Sequence, residues 1–81
     1  MQSTVKILTD TKKLKIRMVE LGYEQIKELS EVSGINRVTL GRVISGKIQP
    51  STDVMAKLAK ALQLKPEDVG MIFFGNYLRI A

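Results

Sequence analysis

The chain contains no cysteine and no histidine, and only 5% of its residues are aromatic. The first two absences exclude zinc fingers, thiol catalysis, disulfide frameworks and histidine-based acid/base chemistry, and they are compatible with a reducing cytoplasm. The shortage of aromatics means that a chain with 44% apolar residues must build an aliphatic core. That suits packed helices better than a sandwich or barrel. Long hydrophobic runs are missing too. The longest, Gly70-Met71-Ile72-Phe73-Phe74-Gly75, is far too short to span a bilayer, so no signal peptide, spanning segment or membrane partner is expected. At 81 residues the chain makes one domain with one modest core, which leaves little room for an active-site cleft or an effector pocket.

What the chain has is basic charge: thirteen Lys and Arg against eight Asp and Glu, a net +5. This is the electrostatic footprint of a domain that meets polyanions. Its placement says more than its total. Between Asn36 and Lys47 lie Arg37, Arg42 and Lys47 with no acid, whereas Glu24 to Ser33 carries three glutamates and one lysine.

Residues 1–9, MQSTVKILT, alternate weakly and are read as an arm or a short strand. Asp10 or Thr11 caps a first helix to about Leu21, with Leu14, Met18 and Leu21 as its buried stripe and Ile16 and Val19 broadening it or leading to another contact. Lys12, Lys13, Lys15 and Arg17 occupy its more exposed positions as an ordinary solvated face, with phosphate contact by a few of them as the alternative. A second helix covers Tyr23 to Ser33, with Ile26, Leu29 and Val32 at three-residue steps, Leu29-Ser30 facing inward and an N-cap open among Tyr23, Glu24 and Gln25, and it stops at Gly34. Asn36 caps a third, Arg37 to Ser45. At about 100° per residue, Leu40, Val43 and Ile44 share one side of it, and Val38, Gly41, Arg42 and Ser45 the other, with Arg37 on the flank. A mid-helix glycine at position 41 implies close approach to a surface, either DNA or the preceding helix.

Ser51 or Thr52 caps a fourth helix through about Gln63, and its apolar face is Val54, Met55, Leu58, Ala59 and Leu62. Pro66 opens a fifth, to about Phe74, followed by a turn at Gly75-Asn76. The last residues, MIFFGNYLRIA, hold more apolar surface than a small domain's end needs, which points to a subunit interface. Val5 to Leu8 pairing with Tyr77 to Ile80 as a two-stranded ribbon is one further arrangement. The domain plan is an arm at 1–9, a helical domain at 10–74 and a C-terminal tail at 75–81.

A turn containing Gly between two helices, here Ser33-Gly34-Ile35-Asn36, is a helix-turn-helix signature. In its context, LSEVSGINRVTLGRVISGKIQPSTDVMAKLAKALQLKPEDV from Leu29 to Val69, the chain resembles the phage repressor/Cro-like helix-turn-helix family of the xenobiotic-response-element type. The shared features are the turn glycine, the polar cap, a recognition helix, a Gly-containing loop, Pro-Ser and the alanine-rich following helix. The resemblance implies an all-α bundle of four or five helices, lambda-repressor-like. It also implies a dimeric transcription regulator, working in the cytoplasm of a bacterial or phage-infected cell, that inserts helix 37–45 into a major groove of an operator. Carried over by position, the base-reading residues are Arg37, Val38, Thr39 and Arg42; those on phosphate are Ser45, Lys47, Gln49 and Ser51. The family's phosphate-gripping glutamine at the opening of its second helix has no direct equivalent, since Gln25 and Ile26 stand at that spacing, and Gln25 or Lys27 are the substitutes. Ser30 stands where Ala is usual.

A competing reading makes the chain a protein-binding modulator, an antirepressor or antitoxin-like partner of another regulator on the same scaffold. An enzyme is the weakest reading. Asp53, Glu67 and Asp68 lie near helix N-termini, where capping and the macrodipole explain them, and no nucleophile stands beside a base. No metal or cofactor is expected.

Overall fold

In the computed structural model, the backbone of residues 7–80 and the side chains of residues 7–77 are described. Six helices follow one another: α1 (Thr11–Glu20), α2 (Ile26–Ser33), α3 (Arg37–Ile44), α4 (Thr52–Ala61), α5 (Pro66–Phe73) and α6 (Gly75–Ile80). No strand forms among the described residues, so the domain is all-α. None of these helices is long and apolar enough to cross a membrane.

The helix ends are set by local chemistry. Asp10 caps α1, its carboxylate accepting from the Lys13 N–H at 3.2 Å, and Ser51 caps α4 by accepting from the Val54 N–H at 3.2 Å. Pro66 takes the first position of α5, where a missing N–H costs nothing, while the Lys65 N–H behind it donates to Asp68 Oδ2 at 3.0 Å. Helix α4 closes with the Gln63 N–H on the Lys60 carbonyl at 3.2 Å and the Leu64 N–H on the Ala59 carbonyl at 2.8 Å. This paired closure puts Gln63 at φ 54°, a left-handed position usually given to glycine.

The core is Leu14 and Met18 of α1, Leu29 of α2, Ile35 of the turn, Leu40, Val43 and Ile44 of α3, Leu58, Ala61 and Leu62 around α4, and Ile72 and Phe73 of α5. Helix α2 packs on α3 and α4, and α1 on α3 and α5. Burying this aliphatic set, with Phe73 as the largest fully enclosed side chain, is the main force holding the bundle. The apolar stripes are narrower than their sequence spacing suggests. Ile16, Val19 and Val32 are exposed. Val32 lies six residues, so about 120° of helix rotation, from Ile26. The bundle lies on the Ile26 side of α2, so Val32 is left in solvent.

The two ends of the chain differ from expectation. Residues 75–80 form a helix and not half of a ribbon, and residues 7–10 have no regular structure; the rest of the expected N-terminal strand, residues 1–6, lies outside the described residues. Residues 7–10 instead run as a strap across the fold. The Asp10 N–H donates to the Ile72 carbonyl at 2.6 Å, the Asn76 N–H to Leu8 at 3.0 Å, and Asn76 Nδ2 to the Ile7 and Thr9 carbonyls at 3.4 and 3.2 Å. Gly75 is where strap and helix meet most closely, since a Cβ there would sit 3.0 Å from Asp10 Cβ.

Candidate nucleic-acid interface

Helix α2 begins behind Gln25, and the Glu28 carboxylate reaches back to the N–H groups of Glu24 and Gln25 at 3.2 and 3.4 Å. This shortens the helix by a turn relative to a start at Tyr23, because residues 23–25 are spent on the cap. It ends at Gly34, whose φ of 77° turns the chain with an N–H still bonded to the Ser30 carbonyl at 2.9 Å. Two serines then staple the turn. The Ser30 hydroxyl donates to the Ile35 carbonyl, and Ser33 Oγ accepts from the Ile35 N–H at 3.2 Å. With Ile35 itself plugged into the core, the angle between α2 and α3 is held from both the polar and the apolar side. Ser30, in place of the usual alanine, thus contributes a bond that alanine has no group to make.

Asn36 Oδ1 accepts from Val38 and Thr39 N–H at 2.8 and 3.4 Å and starts α3. The helix divides as its rotation predicts: Leu40, Val43 and Ile44 are at most 7% exposed, while Val38 is 61% exposed and Arg37, Arg42 and Ser45 are also exposed. Thr39 is half-buried at the edge of this face. Gly41 belongs to neither side. Its missing Cβ would point to Ile26 Cδ1 of α2 at 3.8 Å, so of the two surfaces considered for it the preceding helix is the one it faces. That distance is an ordinary contact with room for a methyl group.

The end of α3 is closed by the Gly46 N–H on the Val43 carbonyl at 3.1 Å and the Lys47 N–H on the Arg42 carbonyl at 2.8 Å, with Gly46 at φ 80°. Lys47 is therefore fixed relative to Arg42 by backbone bonds while its side chain stays exposed. The Ser45 hydroxyl donates to the Arg42 carbonyl at 3.3 Å. Ser51, as the α4 cap, accepts with a lone pair and keeps its proton for an outside acceptor. At the other side of α3, Gln25 and Lys27 are exposed around the start of α2, next to Ile26. The fold thus brings Val38 and Arg42 onto one open face with Arg37 exposed on its flank, Lys47 and Ser51 beyond one end, and Gln25 and Lys27 alongside.

Gln49 is a correction. Expected on phosphate, its side chain turns inward instead. Oε1 accepts from the Leu8 N–H at 2.8 Å, the Thr9 N–H at 3.0 Å and the Thr9 hydroxyl at 3.0 Å, and Nε2 donates to the Phe73 carbonyl at 2.9 Å. A second displaced expectation is Arg17. It leaves the solvated face of α1 to donate from Nε to the Leu62 carbonyl at 2.9 Å and from Nη2 to the Gln63 carbonyl at 3.3 Å, while pairing Glu20 at 3.1 Å. A guanidinium on the carbonyl end of α4 complements its dipole. Neither role has a local sequence signal, because the partners lie 24 to 46 residues away.

The segment that carries the open face is one-signed: Arg37, Arg42 and Lys47 are without an acid between residues 36 and 47. The ion pairs found among the described residues lie elsewhere, Arg17 with Glu20 and Lys57 with Asp53. Such a face can bring guanidinium groups and an apolar Val38 against a polyanion without first breaking internal pairs.

Residues 14–69 match the model of a helix-turn-helix family, a span that runs from within α1 through α4 into the first part of α5. Neither a curated protein nor a solved structure matches the chain.

Proposed function

Because the chain belongs to the helix-turn-helix family of the Cro/C1 type, a DNA-binding family and not an enzyme family, we propose that it is a sequence-specific transcriptional regulator of the phage repressor/Cro kind. It inserts helix 37–45 into the major groove of a double-stranded operator. The observation that carries this reading is the open outer face of α3, with Val38 61% exposed and Arg37 and Arg42 beside it unpaired by any acid of that segment.

The roles follow from side-chain chemistry. Arg37 and Arg42 can each give a bidentate pair to guanine O6 and N7, and Val38 can pack on a thymine methyl. Thr39, half-buried at the rim, reaches either a base or a phosphate. Lys47, the Ser51 hydroxyl, Gln25 and Lys27 hold phosphates and set the register of the helix without reading sequence. Ser45 joins them by exchanging its bond to the Arg42 carbonyl for one to phosphate. Gln49 is left out of this set.

The regulator acts as a homodimer. Met71, Phe74 and Tyr77 are exposed near the C-terminal end, 49%, 37% and 55% respectively; the side chains of Leu78 and Ile80, read from the sequence as part of the same surface, lie outside the described residues. Two-fold symmetry then requires half-sites about 34 Å apart. Truncation from Tyr77 onward tests this with Asn76 kept, since Asn76 ties the strap. A lower sedimentation mass for the truncated chain supports the interface, and the same monomeric mass for both removes it.

Selection of bound sequences from random duplex at two salt concentrations tests the function. Enrichment of a two-fold-related site, bound more weakly at the higher salt, is expected; no enrichment at either salt contradicts it. A second reading, a modulator that holds another regulatory protein, draws on Ile26 standing near the position of the family's phosphate-gripping glutamine and facing Gly41. A stoichiometric protein partner recovered without DNA retention favours it.

A further inference from the structure

The connection between α3 and α4 carries Lys47 and leads into Ser51, so its shape decides where those groups meet a phosphate. Its two ends are held by the bonds that close α3 and cap α4. Its middle has a different anchor. Apart from the Ile48 N–H, a long 3.4 Å from the Arg42 carbonyl, the hydrogen bonds found there run through the Gln49 amide. That amide joins three parts of the chain that are remote in sequence: the strap through Leu8 and Thr9, the end of α5 through Phe73, and the loop itself. The strap is in turn fixed to α5 and α6 by Asp10 and Asn76. The Thr9 hydroxyl that meets Gln49 is deep in the fold, its residue 1% exposed.

We infer that Gln49 is a positioning residue of the DNA interface: its amide, gripped by the Leu8–Thr9 strap and the Phe73 carbonyl, holds the loop so that Lys47 and Ser51 reach phosphate. This rests on the DNA-binding reading and adds to it a determinant that makes no contact with DNA. A loop already ordered in the free protein does not lose conformational freedom on binding, so releasing it weakens every duplex alike. The base-reading face of α3 is held separately, by Leu40, Val43, Ile44 and the stapled turn. Opening the clasp therefore affects the grip on phosphate and leaves base discrimination in place.

The test uses the full chain, Gln49→Ala and Thr9→Val, with the selected duplex titrated over a range of salt. The second variant removes one bond from the strap side, keeps the loop sequence wild-type and nearly preserves side-chain volume. Gln49→Ala is expected to flatten the dependence of log K on log salt by about 0.9 for each phosphate the loop no longer reaches, and Thr9→Val to move it the same way by less. Penalties for changing individual bases should stay as in the wild type. Amide exchange at Lys47 to Gln49 should quicken in both variants relative to Leu58 in the core of α4, which reports global opening. A wild-type salt slope in both variants overturns the inference, and so does unchanged loop exchange. A wild-type chain that binds no duplex overturns the DNA reading and this inference with it, whereas binding by the wild type with unmoved slopes overturns this inference alone.

Discussion

Replacing Gly41 by alanine separates two reasons for a glycine in the middle of a recognition helix. If the backbone there is pressed against DNA, an added methyl is harmful to binding. If the glycine is only tolerated, the methyl is helpful to folding. The geometry decides for the second. An added Cβ meets one atom, Ile26 Cδ1, at 3.8 Å, and points to α2 and not to the open face. Glycine costs a helix interior about 0.8 to 1.0 kcal/mol relative to alanine, and no steric penalty offsets this, so Gly41→Ala should stabilise by about 1 kcal/mol. For a domain of this size that raises the melting temperature by about 4 to 8 °C. Gly70 in α5 is the control, since nothing lies within 4 Å of a Cβ built there and the same gain is expected. The two helices do not pack on each other, so the gains should add. Thermal unfolding followed by circular dichroism reads the stability, and titration of the selected duplex reads the affinity, which should not change. A lowered melting temperature in Gly41→Ala alone, or a large drop in affinity with stability raised, would refute this reasoning and put DNA at that methyl.

Two further substitutions probe the ends of the bundle. Gly75→Ala places a Cβ 3.0 Å from Asp10 Cβ, on a residue held by its bonds to Ile72 and Lys13. It should destabilise by about 1 to 3 kcal/mol in urea denaturation, with wild-type stability as the contrary result. Gln63→Gly relieves the left-handed backbone at φ 54° and should stabilise by about 0.5 to 1 kcal/mol, seen as a higher urea midpoint at unchanged slope; a lower midpoint would mean that the Gln63 side chain contributes more than its backbone costs.

The parts of the fold legible in the sequence are those that depend on neighbours within a turn or two. Asp10, Asn36, Ser51 and Pro66 announce helix starts because a cap acts on N–H groups two or three residues ahead. The open face of α3 follows from helical rotation alone, and Val38 and Arg42 lie where that rotation puts them. What was not legible depends on distant chain. Gly75-Asn76 resembles a turn, yet Gly75 is small because Asp10 crosses it, and Asn76 is polar because it holds the strap. Gln49 looks like a free loop amide until Thr9 and Phe73 are seen on either side of it. Arg17 looks like one more solvated cation in a lysine-rich row, and only the position of α4 turns it into a helix cap. Val32 has the right spacing for burial and the wrong side of α2.

Sequence-specific regulation by this chain requires the outer side of α3 to meet base edges. The most direct measurement compares wild type and Arg42→Ala on the selected duplex and on variants with each base pair changed in turn, with Lys47→Ala alongside. Arg42→Ala should weaken binding by about 1 to 3 kcal/mol and relax preference at one position of each half-site, whereas Lys47→Ala should weaken all sequences equally and flatten the salt slope by about 1. Undiminished affinity and an unchanged base preference in Arg42→Ala would contradict it.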